Sequence, residues 1–341
     1  MKRAVQCPLC RGSEISHFLS APDRFHLRTK TYELARCSIC ACVWMPDPPC
    51  HAELPFHYDD DYNRVTSSAG QTLAPKRWKQ QRALISRYKH GGKLLDIGCS
   101  SGGFLGTLDP RQWELYGIEI AAQMASEARA TAGAEVFTGS VMDASFAQNS
   151  FDVITCFDVL EHQYDPPGFL AKVRGWLKWD GIFIAVLPNI DSWESRMFGT
   201  FWYGLELPRH PFHFSRRSLA YLMRTAGFEV MSLTTPPISF IERSVSYCYE
   251  EMLRGLGLEP RPQSRPKSAN LLWKVVRKAF RVSLIHPYSQ AAALAGQGGS
   301  IQAVFRKSPF AIQVAKEYSR RDRTASESRF KSLCTCLSST Q

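Results

Sequence analysis

No apolar run of roughly 18 residues or more occurs in this 341-residue chain, which argues against a membrane-spanning helix. The opening stretch Met1-Lys2-Arg3-Ala4-Val5-Gln6-Cys7 has no apolar segment of secretory type, so a cytoplasmic location is expected. No internal repeat is present. Acidic residues are scarce, with 31 Asp and Glu against 42 Lys and Arg and a formal charge of +11. The deficit is local. Between Met252 and Pro287, Arg254, Arg261, Arg265, Lys267, Lys274, Arg277, Lys278 and Arg281 face the single acid Glu259, and the stretch after Lys316 adds Arg320, Arg321, Arg323, Arg329 and Lys331. A solvated basic face and an anionic partner both account for this excess. The complete G-x-G-x-x-G pattern of pyrophosphate-binding turns is also missing.

Hydrophobic residues make up 44% of the chain, enough for a sizeable core. The cysteines number 11, an odd count, and in a chain expected in the cytoplasm paired knuckles read as a zinc site rather than a disulfide framework. Four of them form two Cys-x-x-Cys pairs, Cys7/Cys10 and Cys37/Cys40, at the spacing of a structural zinc site. Cys42 and the Cys50-His51 pair compete as ligands. Unligated thiols are the plainer reading.

The most informative stretch is Lys93-Leu94-Leu95-Asp96-Ile97-Gly98-Cys99-Ser100-Ser101-Gly102-Gly103-Phe104-Leu105. An apolar run ends in Asp, small residues follow, and apolar residues resume at helical spacing. This predicts a buried parallel strand turning sharply into a helix. Small residues let backbone approach a ligand, and Gly98, Ser100 and Gly102 suit a nucleoside with an amino-acid tail and no phosphates. That chemistry points to S-adenosylmethionine (SAM). Spacing supports it: Asp96 closes the first strand, and Glu119 ends the second, where an acid hydrogen-bonds ribose hydroxyls. Ile120 is expected on the adenine, Met142 and Asp143 near its edge, Cys99 within the turn, and Phe157 with Asp158 beside the sulfonium.

Strand-like and helix-like segments alternate from Lys93 onward, the pattern of a doubly wound α/β sheet. Strands are expected over Leu94–Ile97, Trp113–Glu119, Glu135–Thr138, Phe151–Phe157, Gly181–Leu187, Phe228–Leu233 and Ser300–Arg306, and helices over Pro75–Tyr88, Ala121–Thr131, Gly168–Leu177 and Leu219–Ala226. The implied organisation is a cysteine module over 1–49, a linker and leading helix over 50–90, a SAM-binding core over 91–235, a basic and partly helical insertion over 236–298, a last core strand over 299–307 and a polar tail over 308–341.

The motifs Leu95-Asp96-Ile97-Gly98-Cys99-Ser100-Ser101-Gly102, Gly117-Ile118-Glu119 and Phe151-Asp152-Val153-Ile154-Thr155-Cys156-Phe157-Asp158-Val159-Leu160-Glu161-His162 resemble those of class I SAM-dependent methyltransferases, in the broad group that includes the ubiquinone-biosynthesis methyltransferases. The resemblance implies a seven-stranded Rossmann-like sheet with the last strand antiparallel, and methyl transfer from SAM. Three departures stand out. The middle glycine is Ser100, the usual Pro-Gly-Gly before strand five is Trp179-Asp180-Gly181, and the Asp after strand three is displaced to Asp143. Residues 5–49 are similar to the zinc ribbon preceding many bacterial methyltransferases, which implies structural zinc on Cys7, Cys10, Cys37 and Cys40.

For the acceptor side, His162 follows strand four. On a helix, Asp158, Glu161 and His162 would share one face; resemblance to quinone O-methyltransferases gives such a set a divalent metal. Capping of a helix start by Glu161 and His162 is the plainer role. The segment Phe201–Ser215 resembles a lid of the ribbon-bearing methyltransferases, in which His210 or His213 faces the acceptor. A small-molecule or glycan acceptor, methylated at oxygen, follows as the leading reading, with RNA or sugar C-/N-methylation as alternatives. Apolar and basic residues alternate over 269–296, which suits peripheral contact with a membrane face and a lipid-linked acceptor.

Overall fold

The computed structural model describes residues 6–58, 75–258 and 278–309. Three short strands open the fold, β1 (Ile15–Pro22), β2 (Thr31–Cys37) and β3 (Val43–Trp44), followed by a single helical turn, α1 (Leu54–His57). A leading helix, α2, covers 75–85. The core follows as β4 (Gly92–Ile97), β5 (Trp113–Glu119), α3 (Ala122–Ala132), β6 (Glu135–Thr138), β7 (Phe151–Phe157), α4 (Pro166–Trp176) and β8 (Leu177–Pro188). After α5 (Trp193–Phe198) comes a loop carrying β9 (Phe212–His213), then α6 (Arg216–Thr225), β10 (Phe228–Thr234), α7 (Ile241–Gly255), α8 (His286–Leu294) and β11 (Ser300–Lys307).

The seven core strands lie in the order β10-β11-β8-β7-β4-β5-β6. β4 is parallel to both β5 and β7, whereas β11 runs antiparallel to β8 and β10. The expected doubly wound sheet with an antiparallel last strand is therefore present. Strands β7 and β8 read as nearly continuous apolar runs because helices cover both faces of the sheet. β8 begins earlier than expected. Leu177 pairs with Phe151 and Ile182 with Val153, so Lys178–Gly181 bulge out of the ladder at the place where the usual Pro-Gly-Gly is replaced.

The helix expected directly after β4 is not formed. Turns occupy this stretch, closed by a 3₁₀ helix at Leu105–Thr107. Gly98 (φ +77°), Ser100 (φ +49°) and Gly102 (φ +77°) are all left-handed, a conformation incompatible with continuing an α-helix.

A second sheet, in the order β1-β2-β3-β9, joins the cysteine module to the loop between β8 and α6. Val43 pairs with His213 and Trp44 with Phe212. Cys7, Leu9 and Trp44 share one buried apolar cluster with Phe212, Phe214 and the β7–β8 core, so the two sheets have a common interior. No helix among the described residues is long and apolar enough to cross a membrane. The stretch 259–277, with five of the eight bases counted between Met252 and Pro287 and the first part of 269–296, lies outside the described residues, as does the tail from 310.

Candidate active site

The C-terminal ends of β4, β5 and β7 meet at the point where strand order reverses, the crevice in which doubly wound sheets bind ligands. The backbone N–H groups of Gly98 and Cys99 both donate to the Ile118 carbonyl, at 2.8 and 3.2 Å, and curl the turn over β5. A Cβ on Gly98 would come within 2.4 Å of Val159 Cγ2, and one on Gly102 within 2.8 Å of the Ala128 Cα in α3. Glu119 organises the rim: Oε2 accepts from the Ser100 N–H and Oε1 from the Ala121 N–H, each at 2.9 Å. Each oxygen keeps a further lone pair.

Other predicted cofactor residues take distinct places. Asp96 is buried within the sheet and accepts from Thr155 Oγ1 at 2.6 Å; burial pushes its carboxyl up to about 7. Cys99 is buried with its Sγ against Gly117. Ile120 and Met142 are exposed at 75% and 43%, apolar surface on the open rim, with Asp143 exposed beside Met142. Phe157 is half-buried and edge-on to Phe104. Asp158, left-handed at φ +56°, pairs with Arg77 of α2 at 2.6 Å.

Past β7, a 3₁₀ turn (Leu160–His162) carries Glu161 and His162, and the β9 loop brings up His210 and His213. His162 Nδ1 lies 3.0 Å from the Arg209 carbonyl and 2.9 Å from Tyr58 Oη. Its ring stands edge-on to that of His210, centroids 4.4 Å apart, with His213 behind at 6.1 Å from His210. His210 Nδ1 meets the Gly204 carbonyl at 3.1 Å, and His213 Nε2 meets the Leu205 carbonyl at 3.0 Å. A carbonyl only accepts, so those nitrogens carry the hydrogens, and the lone pairs sit on Nε2 of His162 and His210 and on Nδ1 of His213. Burial holds all three imidazoles below their usual range, His213 at about 4, so they are neutral proton acceptors at neutral pH. Glu161 is buried with both carboxylate oxygens unpartnered, and burial, then the nearby Asp158, drives its carboxyl well up. One donor atom each from Glu161, His162 and His210 lie within 4.8 Å of one another. The predicted trio is thus rearranged: Asp158 goes to Arg77, and His210 stands with Glu161 and His162.

The four cysteines form a separate cluster. Cys7 and Cys40 sulfurs are 3.5 Å apart, as are those of Cys10 and Cys37, and all four lie within 4.8 Å. Tetrahedral zinc at about 2.3 Å from each sulfur needs S–S separations near 3.8 Å. The two knuckles are built alike. The Arg11 N–H bonds the Cys7 carbonyl and the Cys7 N–H bonds the Gly12 carbonyl, while the Ala41 N–H bonds the Cys37 carbonyl and the Cys37 N–H bonds the Cys42 carbonyl, all at 2.9 Å. Arg11 and Ala41 are both left-handed, at φ +61° and +60°. Cys42 is buried beside the cluster with its thiol on the Val43 carbonyl, and Cys50 stands apart, its N–H on Glu53.

Sequence reasoning missed Tyr58, Arg77 and Arg209. Arg77 sits beside Trp78 in a segment read only for its apolar spacing, and Arg209 lies in the Pro-Arg-His run in which only His210 and His213 were singled out as site residues.

A methyltransferase-domain family model matches residues 71–233. The ubiquinone biosynthesis O-methyltransferase of Idiomarina loihiensis is 32% identical over 111 residues, covering 30% of this chain and 46% of that protein. The protein of the same name from Thiobacillus denitrificans is 28% identical over 170 residues, covering 46% and 72%. The chain thus spans about half the length of the first relative and more of the second. Among solved structures, a chain of the complex between the Haloferax volcanii Trm112 methyltransferase activator and its methyltransferase is 15% identical, with 73% of this chain and 96% of that chain covered and a TM-score of 0.48.

Proposed function

We propose that the chain is a class I SAM-dependent methyltransferase that transfers the methyl group of SAM to a hydroxyl of a small molecule or glycan, a reading supported by the methyltransferase-domain match over residues 71–233. The observation that carries this reading is His162. Its Nδ1 is held by a carbonyl, its Nε2 bears the lone pair, and it follows directly on the β7 edge of the cofactor crevice. Glu119 binds the ribose hydroxyls, Ile120 and Met142 flank the adenine, and the Gly98–Gly102 turn receives the amino-acid tail. His162 takes the hydroxyl proton as the acceptor oxygen forms its bond to the methyl carbon and the sulfonium C–S bond breaks. His210, neutral beside it, keeps the pocket free of a competing cation. A positioned base of this kind is worth roughly 10²–10⁴-fold.

One observation favours a second reading of the same floor. The unpartnered oxygens of buried Glu161, with His162 and His210 each donating Nδ1–H to a carbonyl, suit a divalent cation held by one carboxylate and two imidazoles. Such an ion would polarise the acceptor hydroxyl. Zinc on Cys7, Cys10, Cys37 and Cys40 is structural in this proposal, because four thiolates would fill a tetrahedral site and leave no open position. Val245, Tyr249 and Met252 along α7, with Leu256 just past its end, form an exposed apolar stripe at helical spacing within the basic insertion. This supports an anionic membrane surface as the place where a lipid-linked acceptor is met.

The test is incubation with methyl-labelled SAM and cell extract. Label in a soluble or lipid-extractable small-molecule fraction, lost in His162→Ala while SAM affinity is kept, is the expected result. RNase-sensitive label would overturn the acceptor assignment. Metal analysis of EDTA-treated protein and of Glu161→Gln separates the base from the cation. Sedimentation with liposomes of phosphatidylglycerol and phosphatidylcholine tests the membrane contact.

A further inference from the structure

The loop between β1 and β2 buries a charged cluster that the proposed chemistry does not use. Asp23 has no exposed surface. Its carboxylate accepts from the Nη1 and Nη2 groups of Arg209, both at 3.3 Å, from His26 Nδ1 at 2.9 Å and from the His26 N–H at 3.2 Å. Arg28 and His57 stand further off, at 3.7 and 3.5 Å. Burial pushes the Asp23 carboxyl up, but His26 and Arg209 outweigh it and hold the group well below the usual carboxylate range. Arg209 is itself buried and lies in the β9 loop, 186 residues further along the chain. Its guanidinium also lies over the Phe25 ring, 5.2 Å from the centroid, and donates to the His57 carbonyl at 3.4 Å.

The other end of the same residue faces the acceptor floor. The Arg209 carbonyl accepts from His162 Nδ1 at 3.0 Å and from Tyr58 Oη at 3.5 Å, and Tyr58 Oη in turn accepts from His162 Nδ1 at 2.9 Å. The cysteine module therefore grips the side chain of the residue whose backbone fixes the His162 ring.

We propose that the Asp23–Arg209 pair is a positioning device, through which the N-terminal module sets the tautomer and orientation of His162. Asp23 and Arg209 act through the histidine and touch no reacting atom. The inference rests on the reading of His162 as the group that meets the acceptor proton. Two parallel hydrogen bonds to one guanidinium fix that side chain in plane and rotation, which a single bond does not. With the side chain anchored, the peptide carbonyl cannot turn away, so Nδ1 stays protonated and Nε2 stays basic.

Asp23→Asn keeps the shape and removes the charge. In imidazole-¹⁵N spectra the native protein should show His162 as a single Nδ1–H tautomer, and the variant a mixture. Turnover on the acceptor fraction labelled by the native protein should fall about tenfold to a hundredfold, with the Kd for SAM within about twofold. Arg36→Ala is the control. It breaks the 2.8 Å pair with Asp191, which also ties the module to the segment after β8 but reaches no carbonyl on His162. It should change neither readout. An unchanged tautomer and turnover in Asp23→Asn, or an equal loss in Arg36→Ala, would overturn the positioning role. Full turnover in His162→Ala would instead overturn the reading of His162 itself, and the ¹⁵N spectra would still decide whether Asp23 sets its tautomer.

Discussion

Replacing Gly102 with alanine should damage both fold and cofactor site, and the structure sets the size of the effect. At φ +77° any L side chain pays about 1–2 kcal/mol for the left-handed backbone. The new Cβ would also lie 2.8 Å from the Ala128 Cα and 3.1 Å from its carbonyl oxygen. Those are backbone atoms of α3, so no rotamer change relieves the clash, and overpacking of this kind costs about 1–3 kcal/mol more. A total near 3 kcal/mol lowers Tm by about 6–12 °C, at 2–4 °C per kcal/mol for a domain of 150–250 residues. Gly133 provides the comparison. It is left-handed too, at φ +61°, but a Cβ there meets nothing within 4 Å. Gly133→Ala pays only the backbone term, partly offset by the reduced entropy of its unfolded chain, and should cost about 1 kcal/mol or less. Thermal denaturation of both variants, with SAM titration by calorimetry, measures the difference. Gly102→Ala should also weaken SAM binding at least about tenfold, because the turn must move off α3. If the two variants melt within a degree of each other, the close packing of the turn against α3 is wrong.

Three further outcomes follow from single groups. Asp96 titrates near 7 in the fold against 3.8 in an exposed chain, so the folded state holds the extra proton between those values. Its contribution to stability should be full below about pH 4, decline as pH rises towards 7 by at most about 4 kcal/mol, and level off above; urea unfolding of native protein and Asp96→Asn between pH 4.5 and 7.5 checks this, the difference between the two curves carrying that decline. Glu119→Ala removes the acceptor of two backbone N–H groups at the rim, and calorimetry should show SAM affinity down by at least about tenfold, since a charged hydrogen bond is worth about 1.5–3 kcal/mol. Cys37→Ser should lower bound zinc by mass spectrometry from one ion per chain towards none; because β2 belongs to the shared interior, the apparent Tm should fall with it.

Local grammar was legible in the sequence. The β4 turn, the acid ending β5 and the two Cys-x-x-Cys knuckles are each written within a few consecutive residues, and the structure places them as that spacing implies, with the turn itself stopped short of a helix by three left-handed residues. The histidine choice was not legible, because spacing along a loop says nothing about which ring stands beside His162. The same limit hid Arg209. Its two functions are separated by one peptide unit, and its partner Asp23 lies 186 residues away, at a distance no periodicity reports. The pairing of β3 with β9 is equally silent, since two residues on each side make no pattern. What brings these pieces together is burial. An arginine that loses water must find a carboxylate, and Arg209 meets two, Glu206 in its own loop at 3.4 Å and Asp23 in the β1–β2 loop at 3.3 Å. Composition places a basic residue in the β9 loop, but desolvation decides that it faces inward. Once it does, its carbonyl is left as the acceptor for His162, and a zinc-ribbon-like module becomes a wall of the proposed acceptor site.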